Sequence, residues 1–203
     1  MKGITVLPFF VFLVLACSAA DSSAFAAGAS DNIKKITADA ESGNHDAQYE
    51  LAVRYAAGQG LPRNDRTACS WYRKAAEGGI VKAAYDLGCM YATGRGVEQD
   101  YAVAFEWIGR AAAQGDRKAC FDLGFMYETG KGTSVDYAEA AKWYEKAVKQ
   151  GDAGANVALG GLYEKGLGMP RNPDRARQLY RLACEDGCRE GCEKAALLYR
   201  ISE

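Results

Sequence analysis

The chain has 203 residues, 49% of them hydrophobic and 25% charged, with a formal net charge of −1. That balance describes a folded globular protein and excludes a disordered chain or one embedded in a membrane. Acids and bases alternate without a polybasic stripe, so nothing draws the chain toward nucleic acid, which is set aside as a partner.

In chain order, the first stretch stands apart from the rest. Lys2 is a minimal positive n-region, and Ile4 to Ala16 is an apolar run too short to span a bilayer comfortably. Small residues follow it, which is the pattern of an export signal. Two cleavage readings stand side by side. Val14-Leu15-Ala16-Cys17 resembles a bacterial lipobox, in which Cys17 is lipidated and becomes the mature N-terminus. The other is an ordinary cut after Ala20 or Ala26. The expected division is a signal peptide or lipoprotein signal over 1–20, a linker over 21–32 and a repeat region over 33–203. No transmembrane segment is expected in the mature chain; a lipid anchor at Cys17 is one of the two readings.

Beyond residue 32 the chain repeats itself every 36 positions. Ala119–Gly132, ACFDLGFMYETGKG, recurs as Ala83–Gly96, AAYDLGCMYATGRG, with further copies at Ala47–Gly60 and Ala155–Gly168. Glycines at 43, 79, 115, 151 and 187 and tyrosines at 55, 91, 127, 163 and 199 keep the step without slippage. A fixed period of this size marks a solenoid. Each unit reads as two helices. In the third, the spacing predicts a helix over Lys118–Thr129, with Ala119, Leu123 and Tyr127 on one face, ended by Gly130 in the left-handed conformation. Gly124 lets a neighbour approach closely. Asp136 is placed to cap a second helix over Tyr137–Lys149, and Asn64, Asp100 and Asn172 hold the equivalent positions, with Pro173 at a helix start. Ala68, Ala104, Ala140 and Ala176 are small for close packing, while Trp71, Trp107, Trp143 and the following Tyr72, Ile108, Tyr144 and Tyr180 fill the core. Ile33–Ala40 fits a leading second helix and Glu190–Tyr199 a closing first helix. The expectation is four full repeats with a half at each end, about ten helices, in an all-α, right-handed α/α solenoid.

The unit A-x-x-x-L-G-x-x-Y-x-x-G-x-G followed by D-x-x-x-A-x-x-W-Y-x-x-A-A-x-x-G resembles the Sel-1-like repeat, a relative of the tetratricopeptide repeat. Ala52, Leu179 and Ala195 depart from it, all in flanking units. The resemblance implies that first helices line the concave face and second helices the convex one. The spacing of Cys184 and Cys192 is similar to the secreted cysteine-rich members, where such a pair joins the second helix of one repeat to the first helix of the next. A Cys184–Cys192 disulfide is therefore what the resemblance implies. Some of those relatives are described as penicillin-binding or β-lactamase-like, which makes a hydrolase of that kind the alternative reading of function.

The residues themselves show no catalytic constellation. His45 is the only histidine and reads as an exposed loop residue before the first helix. Ser30-Asp31-Asn32 matches one triplet of the penicillin-recognising enzymes, but S-x-x-K and K-T-G are absent from the sequence. The Gly-x-Gly turns are helix ends and not phosphate loops, because no strand precedes them. Neither a cofactor nor a metal site is expected. Cys69, Cys89, Cys120 and Cys188 remain, and the sequence does not choose among their pairings; Cys89 and Cys120 read as buried free thiols.

What remains is the surface. Glu50, Asp86 and Asp122 form one row on the first helices, and Arg54, Met90, Met126 and Leu162 form the next. Acids beside adaptable Met side chains suit an extended peptide with basic and apolar residues. The competing reading makes the acids a solvated face and the Met row a filling between repeats. The function expected is an exported scaffold, periplasmic or extracellular or held at the outer membrane as a lipoprotein. Its partner is a protein or peptide, with cell-wall material the other candidate.

Overall fold

The computed structural model describes residues 31–200. The export signal, Cys17, both cleavage points and most of the 21–32 linker lie outside them. The described residues form α1 (31–41), α2 (His45–Ala57), α3 (Asp65–Glu77), α4 (Val81–Thr93), α5 (Tyr101–Ala113), α6 (Arg117–Thr129), α7 (Tyr137–Val148), α8 (Ala153–Lys165), α9 (Pro173–Glu185) and α10 (Arg189–Arg200), with no strand among them. Each helix packs on its neighbours in sequence, which is the tandem order of an α/α solenoid.

Local chemistry sets the boundaries. Asn64 accepts from the Thr67 N–H, Asp100 from Ala102 and Val103, Asp136 from Ala138 and Glu139, and Asn172 from Arg175. Among the first helices α2, α6 and α8 are capped as well, by Asn44, Asp116 and Asp152 immediately after the turn glycines, each bonding an N–H three residues on, whereas α4 follows Ile80 without a side-chain cap. α6 therefore begins one residue earlier than expected, at Arg117. At its other end Gly130 takes φ 71°, and its N–H bonds to the Met126 carbonyl. The chain then folds back through the cap residue itself: Asp136 N–H donates to the Tyr127 carbonyl at 2.9 Å, and Asn64, Asp100 and Asn172 repeat the bond to Tyr55, Tyr91 and Tyr163. His45 is the first residue of α2, with Nδ1 3.0 Å from Gln48 Oε1, and not a loop residue.

Inside each unit the Leu-Gly glycine admits its partner helix. A Cβ on Gly124 would lie 2.7 Å from the Tyr144 ring and 3.2 Å from the Ala140 carbonyl; on Gly160 it would lie 2.6 Å from Tyr180. Tyr144 and Tyr180 are fully buried, and their hydroxyls donate to Glu128 and Glu164 at 2.6 and 2.7 Å. The tryptophans depart from expectation. Trp107 is buried, but Trp71 and Trp143 are only half-buried, at the edge of the core. A cation one turn on covers each ring: Lys74 at 4.1 Å from Trp71, Arg110 at 4.4 Å from Trp107 and Lys146 at 3.5 Å from Trp143.

Between units, one pair of positions recurs eight residues apart. At the first junction Gln48 Nε2 donates to the Ala40 carbonyl at 3.1 Å. At the third, the Cys120 thiol donates to the Ala112 carbonyl at 3.6 Å. At the last, Cys184 and Cys192 are joined by a disulfide with Cα atoms 4.5 Å apart. Cys69, Cys89, Cys120 and Cys188 are free thiols.

Two outcomes test this register. Leu123 is 3% exposed, so Leu123→Ala should cost about 2–5 kcal/mol in chemical unfolding, against under about 0.5 kcal/mol for exposed Glu145→Ala; equal costs would refute the packing. Ala112→Cys places a second thiol opposite Cys120 at the position that carries the natural disulfide. Oxidation should then protect Cys120 from alkylation and stabilise the chain by about 2–3 kcal/mol for so short a loop. A Cys120 still open to alkylation after oxidation would refute the equivalence of the two junctions.

Candidate binding groove

The first helices present one side chain column after another along a shared face. Tyr49 on α2 reaches across to the next unit, where its hydroxyl donates to Asp86 Oδ2 at 3.1 Å. Tyr85 on α4 does the same to Asp122 on α6 at 2.9 Å. Each acid is thus held by the unit before its own. Three concavities follow this line. One of 290 Å³ is lined by Tyr49, Lys82, Tyr85, Asp86, Asp116, Arg117 and Lys118. The next, of 170 Å³, shares Asp86 and adds Tyr72, Cys89, Met90, Thr93 and Arg95. The third, of 360 Å³, shares Cys89 and Thr93 and runs on to Tyr101, Asp122, Phe125 and Lys131. Shared walls make them one groove across α2, α4 and α6. A larger hollow of 570 Å³ lies apart, formed mostly by the exposed 96–100 loop with Arg66 and Tyr91.

Burial governs the electrostatics of this groove. It pushes the Asp86 carboxyl above its ordinary value; the Tyr49 hydrogen bond and the charges of Lys118 and Arg95 pull it back, while Asp116 adds to the rise. Asp122 is raised in the same way, chiefly by burial, against the pull of the Tyr85 hydroxyl. Neither carboxylate forms an ion pair among the described residues. Burial, with Asp86 next, lifts the Tyr49 hydroxyl to about 12. Cys89 is lifted to about 11, again mainly by burial, so at neutral pH it is a thiol and a poor nucleophile. No cluster of metal ligands occurs among the described residues. The arrangement is chemically suited to holding a ligand by charge and shape.

The expected site residues divide. Asp86 and Asp122 lie in the groove, half-buried. Glu50 is exposed and is taken by Arg54 of its own helix in an i,i+4 ion pair at 2.8 Å. Met90 and Met126 are 3% and 4% exposed, beneath the surface, where they form part of the groove's floor, and Leu162 of the same column is buried. The groove instead exposes the column one residue earlier, Cys89 and Phe125, together with Tyr49, Tyr85, Tyr101 and Lys131, none of which was expected as a site residue. One signal for the tyrosines was present: an aromatic residue directly precedes the acid in Tyr49-Glu50, Tyr85-Asp86 and Phe121-Asp122.

Comparison with known proteins meets the same period. The Sel1 repeat profile matches residues 45–80, 81–116, 117–152 and 153–188. The solved structure of c5321, a protective antigen of uropathogenic Escherichia coli with an SLR fold, is 36% identical with a TM-score of 0.80 over 82% of this chain. A Sel1 repeat protein from Oxalobacter formigenes is 35% identical with a TM-score of 0.75 over 78% of the chain. Cysteine-rich protein B of Helicobacter pylori is 25% identical with a TM-score of 0.51 over 67% of the chain and 98% of its own length. The chain spans only 36% of the Escherichia coli protein and 65% of the Oxalobacter one. No curated protein matches it significantly. Four contiguous matched repeats, in a tandem-helix fold shared with solved members, make this chain a member of the Sel1 repeat family.

Proposed function

We propose that this chain is an exported binding scaffold that holds an extended peptide, or an extended segment of a protein, in the groove across α2, α4 and α6. The observation that carries the reading is the pair Asp86 and Asp122. Both carboxylates are partly desolvated, both are raised by burial, and neither forms an ion pair among the described residues. Such groups lower the stability of the free protein, and a basic ligand would satisfy them. Their repetition one unit apart suits a partner lying along the solenoid. Export is supported by the apolar run at Ile4–Ala16 and by the Cys184–Cys192 disulfide, which an oxidising compartment preserves. No helix among the described residues is long and apolar enough to cross a membrane.

The double variant Asp86→Asn, Asp122→Asn keeps an acceptor for each tyrosine hydroxyl and should leave the circular dichroism unchanged. Peptides selected from a random library on the unmodified chain should bind the variant about tenfold more weakly and with a flatter salt dependence. Unaltered affinity would move the site off these helices. Stability gives an independent reading. A carboxyl raised above its ordinary value of 3.8 is best tolerated protonated, so its contribution is fully favourable below that value and is lost as pH rises through the folded-state value. The variant should therefore melt at or above the parent at pH 7, with any advantage fading toward pH 4. A variant markedly less stable at pH 7 would make the two acids structural.

A further inference from the structure

The 360 Å³ end of the groove is wider than its 170 Å³ counterpart at the preceding junction, which buried Tyr72 lines, because Ile108 stands at the tyrosine's position. In the third and fourth units a buried tyrosine and glutamate fill the space between the unit's two helices, Tyr144 with Glu128 and Tyr180 with Glu164. In the second unit the same positions hold Ile108 and Ala92, and both line the cavity. The shorter pair leaves open space where the third and fourth units have a hydrogen-bonded side chain pair.

The rim of that space is also particular to this junction. Phe125 is 41% exposed, although it is large and apolar. The Lys131 ammonium lies 5.3 Å from its ring centroid and 5.5 Å from that of Tyr101. One unit earlier, the positions of Lys131 and Tyr101 are occupied by Arg95 and Asp65, which form an ion pair at 3.1 Å. A cation is thus locked by a carboxylate at one junction and held by two ring faces at the next. Ring faces hold an ammonium only weakly at an exposed site. Asp122 lines the same cavity; its Oδ2 accepts from Tyr85 and it has no ion-pair partner among the described residues.

We propose that this cavity receives an arginine side chain of the bound peptide, whose guanidinium displaces the Lys131 ammonium from Tyr101 and Phe125 and pairs with Asp122. Lys131 is the free protein's stand-in for that cation. Arginine is chosen over lysine because its planar group stacks on rings and presents a fork of N–H donors to a carboxylate at once. The inference rests on the groove being a peptide site and names the side chain that its 360 Å³ end selects.

The test uses the full chain, isotope-labelled, and two small probes: N-acetyl-arginine methylamide and its uncharged citrulline isostere. The arginine probe should shift the amide signals of Cys89, Phe125 and Lys131 saturably, with citrulline at least about tenfold weaker. Lys131→Met keeps the stem and removes the competing charge, so it should tighten arginine binding roughly threefold to tenfold. Phe125→Leu keeps apolar bulk without a ring and should weaken it by a similar factor. Equal response to citrulline, weaker binding by Lys131→Met, or no saturable shift at these residues each overturns the assignment. Library-selected peptides that still shift signals along α2, α4 and α6 while the probes fail would overturn the cradle alone. Their failure as well would overturn the groove.

Discussion

The step from one unit to the next is set where a loop backbone presses on a helix backbone. Gly96, Gly132 and Gly168 each lie against the first residue of the preceding unit's second helix, Asp65, Tyr101 and Tyr137 respectively. A Cβ at any of them would overlap peptide atoms rather than the yielding tip of a side chain, and all three are at positive φ. Only glycine meets both conditions. Because the contact is backbone on backbone, it fixes the inter-unit distance independently of which side chains surround it. The surrounding positions are then free to vary, and they do: Arg95 on Asp65 at one junction, Lys131 on Tyr101 at the next.

With spacing secured in that way, the same junction site tolerates different chemistry at each occurrence. An amide, a thiol and a disulfide stand in turn at Gln48, Cys120 and Cys192, each directed at the residue eight positions earlier. The covalent version falls at the end of the described solenoid, beside a core cluster much smaller than the central one, where Ala195 replaces the leucine of the inner units. At the equivalent place in the fourth unit Asn156 is buried, and its Oδ1 has no hydrogen-bond partner. Similar substitution runs through the unit interiors. Tyrosine and glutamate appear together at 144 with 128 and at 180 with 164, and isoleucine and alanine appear together at 108 with 92. The first unit mixes the two, with buried Tyr72 opposite Ala56, so the glutamate is present only where the third and fourth units bond it to the tyrosine hydroxyl.

Much of this was legible in the residues because period and punctuation are local properties. Gly130 stops its helix and Asp136 starts the next by bonds to atoms a few residues away, so both could be read directly. Depth was not legible for the column of Met90 and Met126. From Asp86, the residues three and four further on lie on opposite flanks of the same helical face, and which flank turns under the next unit depends on how the helices tilt. The structure buries the fourth and leaves the third nearer the surface, with Phe125 exposed and Cys89 half-buried. Trp71 and Trp143 misled by size, since bulk alone reads as core; the basic residue three positions on does not set them apart, because buried Trp107 has Arg110 there too. The Cys184–Cys192 link was implied by the family resemblance and not by the residues alone, which left other pairings open.

The tyrosine of one unit holds the acid of the unit after it, at a separation of 37 residues and not within a single repeat. The structural unit and the tyrosine–acid pair are therefore out of phase by one junction. Duplication of a whole repeat would supply one more tyrosine and one more acid in the right order, and so extend the groove by one complete place. A gain or loss of any other length would part a tyrosine from its acid even where every helix survived. The number of tyrosine–acid pairs in such a chain follows the number of repeats, and the fixed period of 36 is the grain in which the length of the groove can change.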